Sequence, residues 1–276
     1  MTDQTKYSTT LHSKRILILG GTSGIGFCVA EACVEHGALV TIASSSRKRV
    51  DGAVKRIEEA YPSSSAANGK RRVWGTTVDL GKRETLEGEL KGVLEKAVQM
   101  MGGEKLDHVV YTAGDRLAEM SVGELTIDSI LSAGQIRFFA PLLLAKFLPQ
   151  FLNSSSSSSY TITTGSVSEK PIPNWSVIGA YAGGLHAMVR GLALDLKPLR
   201  VNGVSPGLVD TELWDHLDGA GEERGKRAQV LEGMGKGLLT GRAGRPESVA
   251  QSFLGIMRDE NMDATMVRTD GGGLLV

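Results

Sequence analysis

Cysteine is almost missing from this chain of 276 residues: only Cys28 and Cys33 occur, five positions apart. That count excludes a disulfide framework and the paired-cysteine spacings of zinc ribbons, so both are expected as reduced core thiols. The five histidines, His12, His36, His108, His186 and His216, are scattered without helical pairing or neighbouring carboxylates, and no metal site is expected. Neither sign of charge is in excess, with 31 basic and 31 acidic residues. No net field therefore favours nucleic acid or an anionic membrane, and neither is expected as a partner. No stretch holds 18 uninterrupted apolar residues, and the first 13 lack the apolar centre of a secretory signal. A cytoplasmic protein is expected, with a flexible N-terminal tail over 1–13 and one domain over 14–276.

What the chain does hold is a 41% hydrophobic content, enough for a full core. Short apolar, β-branched runs recur between helical patterns: Arg15 to Leu19, Leu39 to Ala43, Val73 to Val78, His108 to Tyr111, Tyr160 to Thr163, Arg200 to Val204 and Thr265 to Thr269. Strands alternating with helices predict an α/β fold, a Rossmann-like doubly wound parallel sheet of seven strands with helices on both faces, because parallel neighbours need crossover helices. Its ligand belongs at the carboxyl ends of the strands. Pro62 to Arg72 and Asn153 to Ser159 are low in apolar content and read as surface loops. Gly233 to Arg245, with five glycines, reads as a mobile segment able to close over a substrate, or as an irregular connection.

The first run leads into Gly20-Gly-Thr-Ser-Gly24-Ile-Gly26, a glycine-rich turn that opens a helix. Gly20 permits the tight turn, Gly24 lets backbone approach a pyrophosphate, and Gly26 lets helix pack on strand. Thr22, Ser23 and Ile25 complete the cradle, and the helix N-terminus offers free N–H groups to phosphate. An acidic residue some 20 positions on would hold the ribose hydroxyls of NAD. The second strand instead ends Ala43-Ser-Ser-Ser-Arg-Lys-Arg49. Hydroxyls and a guanidinium at Ser44, Ser45, Ser46 and Arg47 suit the 2′-phosphate of NADP(H), which a carboxylate would repel.

These motifs, in this order, resemble the short-chain dehydrogenase/reductase family over almost the whole chain, with Leu19 where the family usually has threonine. Asp79-Leu80 ends the third strand, where the family holds the adenine. Tyr111-Thr112-Ala113-Gly114 stands for its Asn-Asn-Ala-Gly, and Val201 to Gly207 with Thr211 matches its nicotinamide-side loop, adding Pro206, Gly207, Val209 and Thr211 to the expected cofactor contacts. Gly241-Arg-Ala-Gly-Arg-Pro246 and Asp270-Gly-Gly272 match its C-terminal signatures.

In the family a tyrosine moves the proton at the substrate oxygen, and a lysine one helical turn later lowers its pKa. Tyr181 keeps that place and also a cofactor contact, but Leu185 stands at the lysine. Leucine supplies neither charge nor hydrogen bond, so the phenol is expected to be a poor acid; with Met188 and Leu192 it could equally be core. Arg137 stands at the family's helix asparagine, where it could replace the missing charge, bind a substrate carbonyl or form an ion pair with a carboxylate. Three hydroxyls compete for the family's serine: the strand end selects Thr164, the usual interval selects Ser168, and Ser166 lies between. Trp175 could stack on a flat substrate or nicotinamide, or anchor its loop. This stretch is similar to a fungal branch that includes bifunctional reductase/Diels–Alderases of prenylated indole alkaloid assembly. That branch pairs an arginine matching Arg137 and a tryptophan matching Trp175 with an aspartate, where this chain has Ile172.

The resemblance implies an NADPH-dependent oxidoreductase of secondary (specialised) metabolism. Its substrate is expected to be a small, polycyclic or flat metabolite with an activated C=N, C=C or C=O group. An iminium already carries the charge that a protonated carbonyl would develop, so it needs little acid. A non-redox cyclase or isomerase using the same pocket, and a non-catalytic nucleotide-binding regulator, are the alternatives. The resemblance also implies a homodimer or homotetramer through the helices from Ser129 to Phe151 and Tyr181 to Lys197.

Overall fold

The computed structural model describes residues 5–64, 71–217 and 225–276. Seven strands form one all-parallel sheet: β1 (Arg15–Leu19), β2 (Leu39–Ser44), β3 (Val73–Thr77), β4 (His108–Tyr111), β5 (Ser159–Thr163), β6 (Arg200–Pro206) and β7 (Met266–Thr269). Their spatial order is β3-β2-β1-β4-β5-β6-β7, so the winding reverses between β1 and β4, and the expected doubly wound architecture is found. That reversal opens a crevice at the carboxyl ends of β1 and β4, where the turns after Leu19 and Tyr111 lie side by side.

Both faces of β1, β2, β4, β5 and β6 are buried while the edge strands β3 and β7 are partly exposed, which is why the inner strands β1 and β4 read most clearly as apolar runs. Leu17, Leu19, Val109, Tyr111, Tyr160 and Ile162 point to one face, under α3 (Leu86–Met100), α5 (Ala140–Ala145) and α7 (Ser176–Asp195). Ile16, Ile18, Val40, Ile42 and Val110 point to the other, under α1 (Gly24–Glu35), α2 (Arg47–Ala60) and α9 (Pro246–Arg258). Between α3 and α5, α4 (Ile127–Gly134) runs into a single π-helical turn, Gln135–Phe139; α6 (Leu148–Phe151) precedes β5, and α8 (Lys226–Lys236) precedes α9.

Several local expectations shift. β6 extends two residues past Val204 because Pro206 still pairs with Thr269, and the Gly207 amide donates to the Thr269 carbonyl (3.1 Å). The serine-rich stretch is not all surface: Ser158 and Ser159 are fully buried, and the Ser159 hydroxyl meets His108 Nδ1 at 2.9 Å. Residues 65–70 of the other expected loop lie outside the described residues. The expected tail is anchored within 5–13, where Leu11 is 1% exposed in the core beside α1. Gly233 and Gly235 belong to α8, so the expected mobile segment is helical in its first turn. Cys28 and Cys33 are buried free thiols, and burial pushes both up to about 12, which leaves them protonated and inert.

Candidate active site

The crevice begins with the glycine turn. Gly20 has φ +90, and a Cβ there would stand 2.5 Å from the Ala113 amide; Gly24 has φ +51. A Cβ on Gly26 would lie 2.3 Å from Thr112 Oγ1 and 2.4 Å from the Gly20 carbonyl oxygen. The three glycines therefore do separate jobs, two giving the backbone conformation and one the close packing of α1 on the turn. Ser23 occupies the N-cap of α1 without a side-chain cap bond, and the first turn carries no acidic residue. Its leading amides are thus left for an anion, which fits a dinucleotide pyrophosphate. Thr22 and Ile25 flank this turn in the sequence, and the methyl of Thr211 packs at 3.1 Å from the Cβ position of Gly24.

At the end of β2 the expected arrangement changes. Ser46 caps α2 by accepting from the Arg49 amide (3.4 Å), and Ser45 Oγ accepts from Arg49 Nη2 (3.1 Å). Arg47 turns instead to Asp51 (3.4 Å) and lines an outer groove with Trp74 and Met100. The guanidinium that reaches a hydroxyl of this turn is that of Arg49, while Ser44 ends the strand. Asp79 accepts from the Gly81 amide (3.0 Å), its own amide donates to Glu89, and the Leu80 carbonyl accepts from Gln135, so this turn is rigid. Thr112 Oγ1 donates to the Leu19 carbonyl (2.9 Å), tying the Ala113–Gly114 loop to the glycine turn. Across the crevice, a Cβ on Gly207 would meet Asp270 at 2.7 Å. The segment after Pro206 is held by Val209, which bridges Gly244 and accepts from the Trp214 indole.

On the reaction side, Leu185 is 3% exposed and belongs to the core cluster with Tyr111, Leu144 and Ile162. The Tyr181 hydroxyl donates to the Ile130 carbonyl (3.0 Å), and its ring packs between Phe138 and Phe139, with centroids 5.0 and 5.7 Å away. A Cβ on Gly134 would meet the ring at 2.6 Å, so only glycine lets the phenol lie against α4. Burial raises its pKa, and no cation among the described residues offsets that. Thr164 Oγ1 donates to the Ala182 carbonyl (2.9 Å) and Ser168 Oγ lies 3.0 Å from His186 Nε2, whereas Ser166 Oγ has no partner among the described residues. Of the three hydroxyls, Ser166 is the one left for a ligand. Trp175 is half-buried at the N-cap of α7, and Ile172 is exposed.

Arg137 sits in the π-helical turn, a distortion that often marks functional positions. Its Nε donates to Asp115 Oδ1 (3.1 Å) and its Nη2 to the Asp115 carbonyl oxygen. Burial lowers its pKa and the Asp115 charge opposes that. The buried Tyr111 hydroxyl donates to the Ile136 carbonyl (2.5 Å), bracing the turn from below. Sequence reasoning missed Asp115, Arg49 and the Ile130 acceptor. A carboxylate directly after Gly114 was the available signal for Asp115; a backbone acceptor leaves none.

A model of the SDR-like Rossmann domain matches residues 7–276. The chain belongs to the short-chain dehydrogenase/reductase family. Among relatives in this family, it is 40% identical over 271 residues to the short-chain dehydrogenase/reductase fsr5 of Gibberella fujikuroi, covering 98% of each chain. It is 39% identical to malC of Malbranchea aurantiaca, covering 96% of each. The solved structure of the MalC reductase/Diels-Alderase superposes with a TM-score of 0.88 at 38% identity, over 98% of this chain and 100% of that one. The family fold is one that binds a nicotinamide dinucleotide, and the uncapped helix and glycine cradle fit that group.

Proposed function

We infer that this protein is an NADPH-dependent reductase of specialised metabolism that reduces an activated C=N, C=C or C=O group without the usual tyrosine–lysine acid. The single observation that carries this is the fate of the acid pair: Leu185 is core, and the Tyr181 hydroxyl is spent on the Ile130 carbonyl. Bound NADPH supplies the hydride. An iminium takes that hydride with no proton, and an enone or ketone takes its proton from solvent water, so the chain's own residues have only to hold the electrophile. Arg137 donates to a substrate oxygen from beside Gly114, Ser166 supplies a free hydroxyl, and Trp175 offers a flat apolar surface. Ser44, Ser45 and Arg49 favour the 2′-phosphate.

Nicotinamide oxidation, followed by absorbance with iminium, enone and ketone probes, tests this reading. Arg137→Ala is expected to lower kcat/KM about a hundredfold, the loss of a charge-assisted hydrogen bond in a partly buried site, and Tyr181→Phe to change it less than about threefold. NADH is expected to work at least about tenfold less well than NADPH. Loss of turnover in Tyr181→Phe with Arg137→Ala unaffected would restore an ordinary acid mechanism and overturn this one. The likeness to the MalC reductase/Diels-Alderase favours a second reading, non-redox cyclisation in the same pocket, which product formation without nicotinamide oxidation would reveal.

A homodimer or homotetramer in the cytoplasm goes with this reading. The helical stretches Ile127–Ala145 and Ser176–Asp195 are apolar enough to pass for membrane spans by length and composition, yet only 28% and 39% of their apolar windows are buried. Leu142 and Leu194 on them are exposed, so a second copy would cover apolar surface that the single chain leaves wet. A monomer in light scattering would reject the assembly.

A further inference from the structure

The Arg137 guanidinium has one edge taken and one edge free. Nε and Nη2 are bound to the carboxylate and the backbone carbonyl of Asp115, while Nη1 makes no protein hydrogen bond among the described residues. The guanidinium lies flat on the backbone at Gly114: a Cβ there would stand 2.7 Å from its central carbon and from both terminal nitrogens. Its orientation is over-determined, because Tyr111, Gly114 and Asp115 belong to one five-residue segment that also braces the turn at Ile136. The pair is neither fully buried nor free in solvent, with Arg137 29% and Asp115 39% exposed.

This arrangement has a consequence for charge. A lone guanidinium in a cleft prefers carboxylate or phosphate. With a carboxylate already 3.1 Å from Nε, the pair is net neutral, yet the Nη1 hydrogens stay strongly polarised donors. An anionic ligand on Nη1 would be drawn by the guanidinium but repelled by the Asp115 charge roughly 6 Å away, a repulsion equivalent to about a hundredfold in affinity at an effective dielectric near 20, and the attraction that is left no longer repays the desolvation of a carboxylate. An uncharged oxygen escapes that penalty.

The geometry points to Asp115 as a specificity-determining residue: by compensating Arg137 it makes the free Nη1 edge a site for an uncharged carbonyl oxygen, such as that of an amide or lactam, and turns carboxylates away. This rests on the proposed use of the same pocket for a substrate carbonyl, and it names the class of group that the pocket takes. Asp115 acts through Arg137, so it is a positioning and charge-setting residue that need not touch the reacting atoms.

Equilibrium binding to the NADPH-loaded protein tests it, with 2-naphthamide and 2-naphthoate as flat probes that differ in charge. The wild type is expected to bind the amide at least about tenfold more tightly. In Asp115→Asn the preference is expected to reverse, with naphthoate gaining at least about tenfold and the amide changing less than about threefold. Asp115→Glu, which keeps the charge, is expected to keep the amide preference and serves as the control for a folding defect in the asparagine variant. No amide preference in the wild type, an unchanged ratio in Asp115→Asn, or equal weakening of both probes would each overturn the proposal. Binding needs no turnover, so failure of the reductase reading would show separately, as unoxidised NADPH beside an intact probe preference.

Discussion

Gly26→Ala is expected to abolish useful cofactor binding, weakening NADPH at least about a hundredfold, because losing one or two charge-assisted hydrogen bonds to the phosphates costs on that scale. The new methyl would stand 2.3 Å from Thr112 Oγ1 and 2.4 Å from the Gly20 carbonyl oxygen. Neither neighbour can retreat. Thr112 donates to the Leu19 carbonyl through both its hydroxyl (2.9 Å) and its amide (2.8 Å), and the Gly20 amide donates to the Ala43 carbonyl (2.8 Å). The strain must then move α1, whose first-turn amides are the proposed phosphate site, at a further stability cost of about 1–3 kcal/mol for overpacking. Fluorescence titration with NADPH and a thermal melt measure the two effects. Adding Thr112→Ala is expected to recover only part of the binding, since the Gly20 carbonyl remains in place. Full binding by Gly26→Ala alone would show that the helix is not held where the contacts put it.

Leu185→Lys restores the family's usual residue and is nevertheless expected to damage the protein without creating a ketone reductase. Leu185 is 3% exposed in the cluster that includes Tyr111, Ile162, Met188 and Val189. An ammonium placed there must shed its proton or push out through packed side chains, and either costs about 3 kcal/mol or more. For a domain of this size, that corresponds to a fall in Tm of about 6–10 °C. The phenol gains nothing, because its hydroxyl faces Ile130 and its ring is wedged against Gly134, Phe138 and Phe139. Circular dichroism melts and a simple-ketone assay with NADPH decide this. An unchanged Tm together with new ketone turnover would mean that Tyr181 and position 185 still face a common site.

The parallel sheet was legible in the sequence because burial on both faces leaves continuous apolar runs, and the crossover helices between them leave only parallel pairing available. The glycine turn was legible for a related reason: Gly20, Gly24 and Gly26 each occupy a position where a side chain collides or the backbone needs positive φ, so the turn is written as an absence of side chain. Arg49 was harder to read. Three basic residues follow three serines, and which guanidinium returns to Ser45 depends on where the first turn of α2 begins.

Tyr181 marks the limit. Its place in the family pattern predicts a catalytic phenol, and the loss of lysine at 185 predicts a weak one, but its hydroxyl is bonded to a carbonyl 51 residues away. Ser168, at the family's usual interval, is likewise committed to His186. Asp115 meets Arg137 from 22 positions earlier, across the crevice between a loop and a π-helical turn. Local pattern settled the family fold, the glycine turn that opens α1 and the absence of the lysine, because each depends on residues adjacent in the chain or repeated at a fixed period. Only the tertiary structure decided which polar atoms of the site are spent and which are free, because a hydrogen bond saturates its partner and those partners come from elements far apart in sequence.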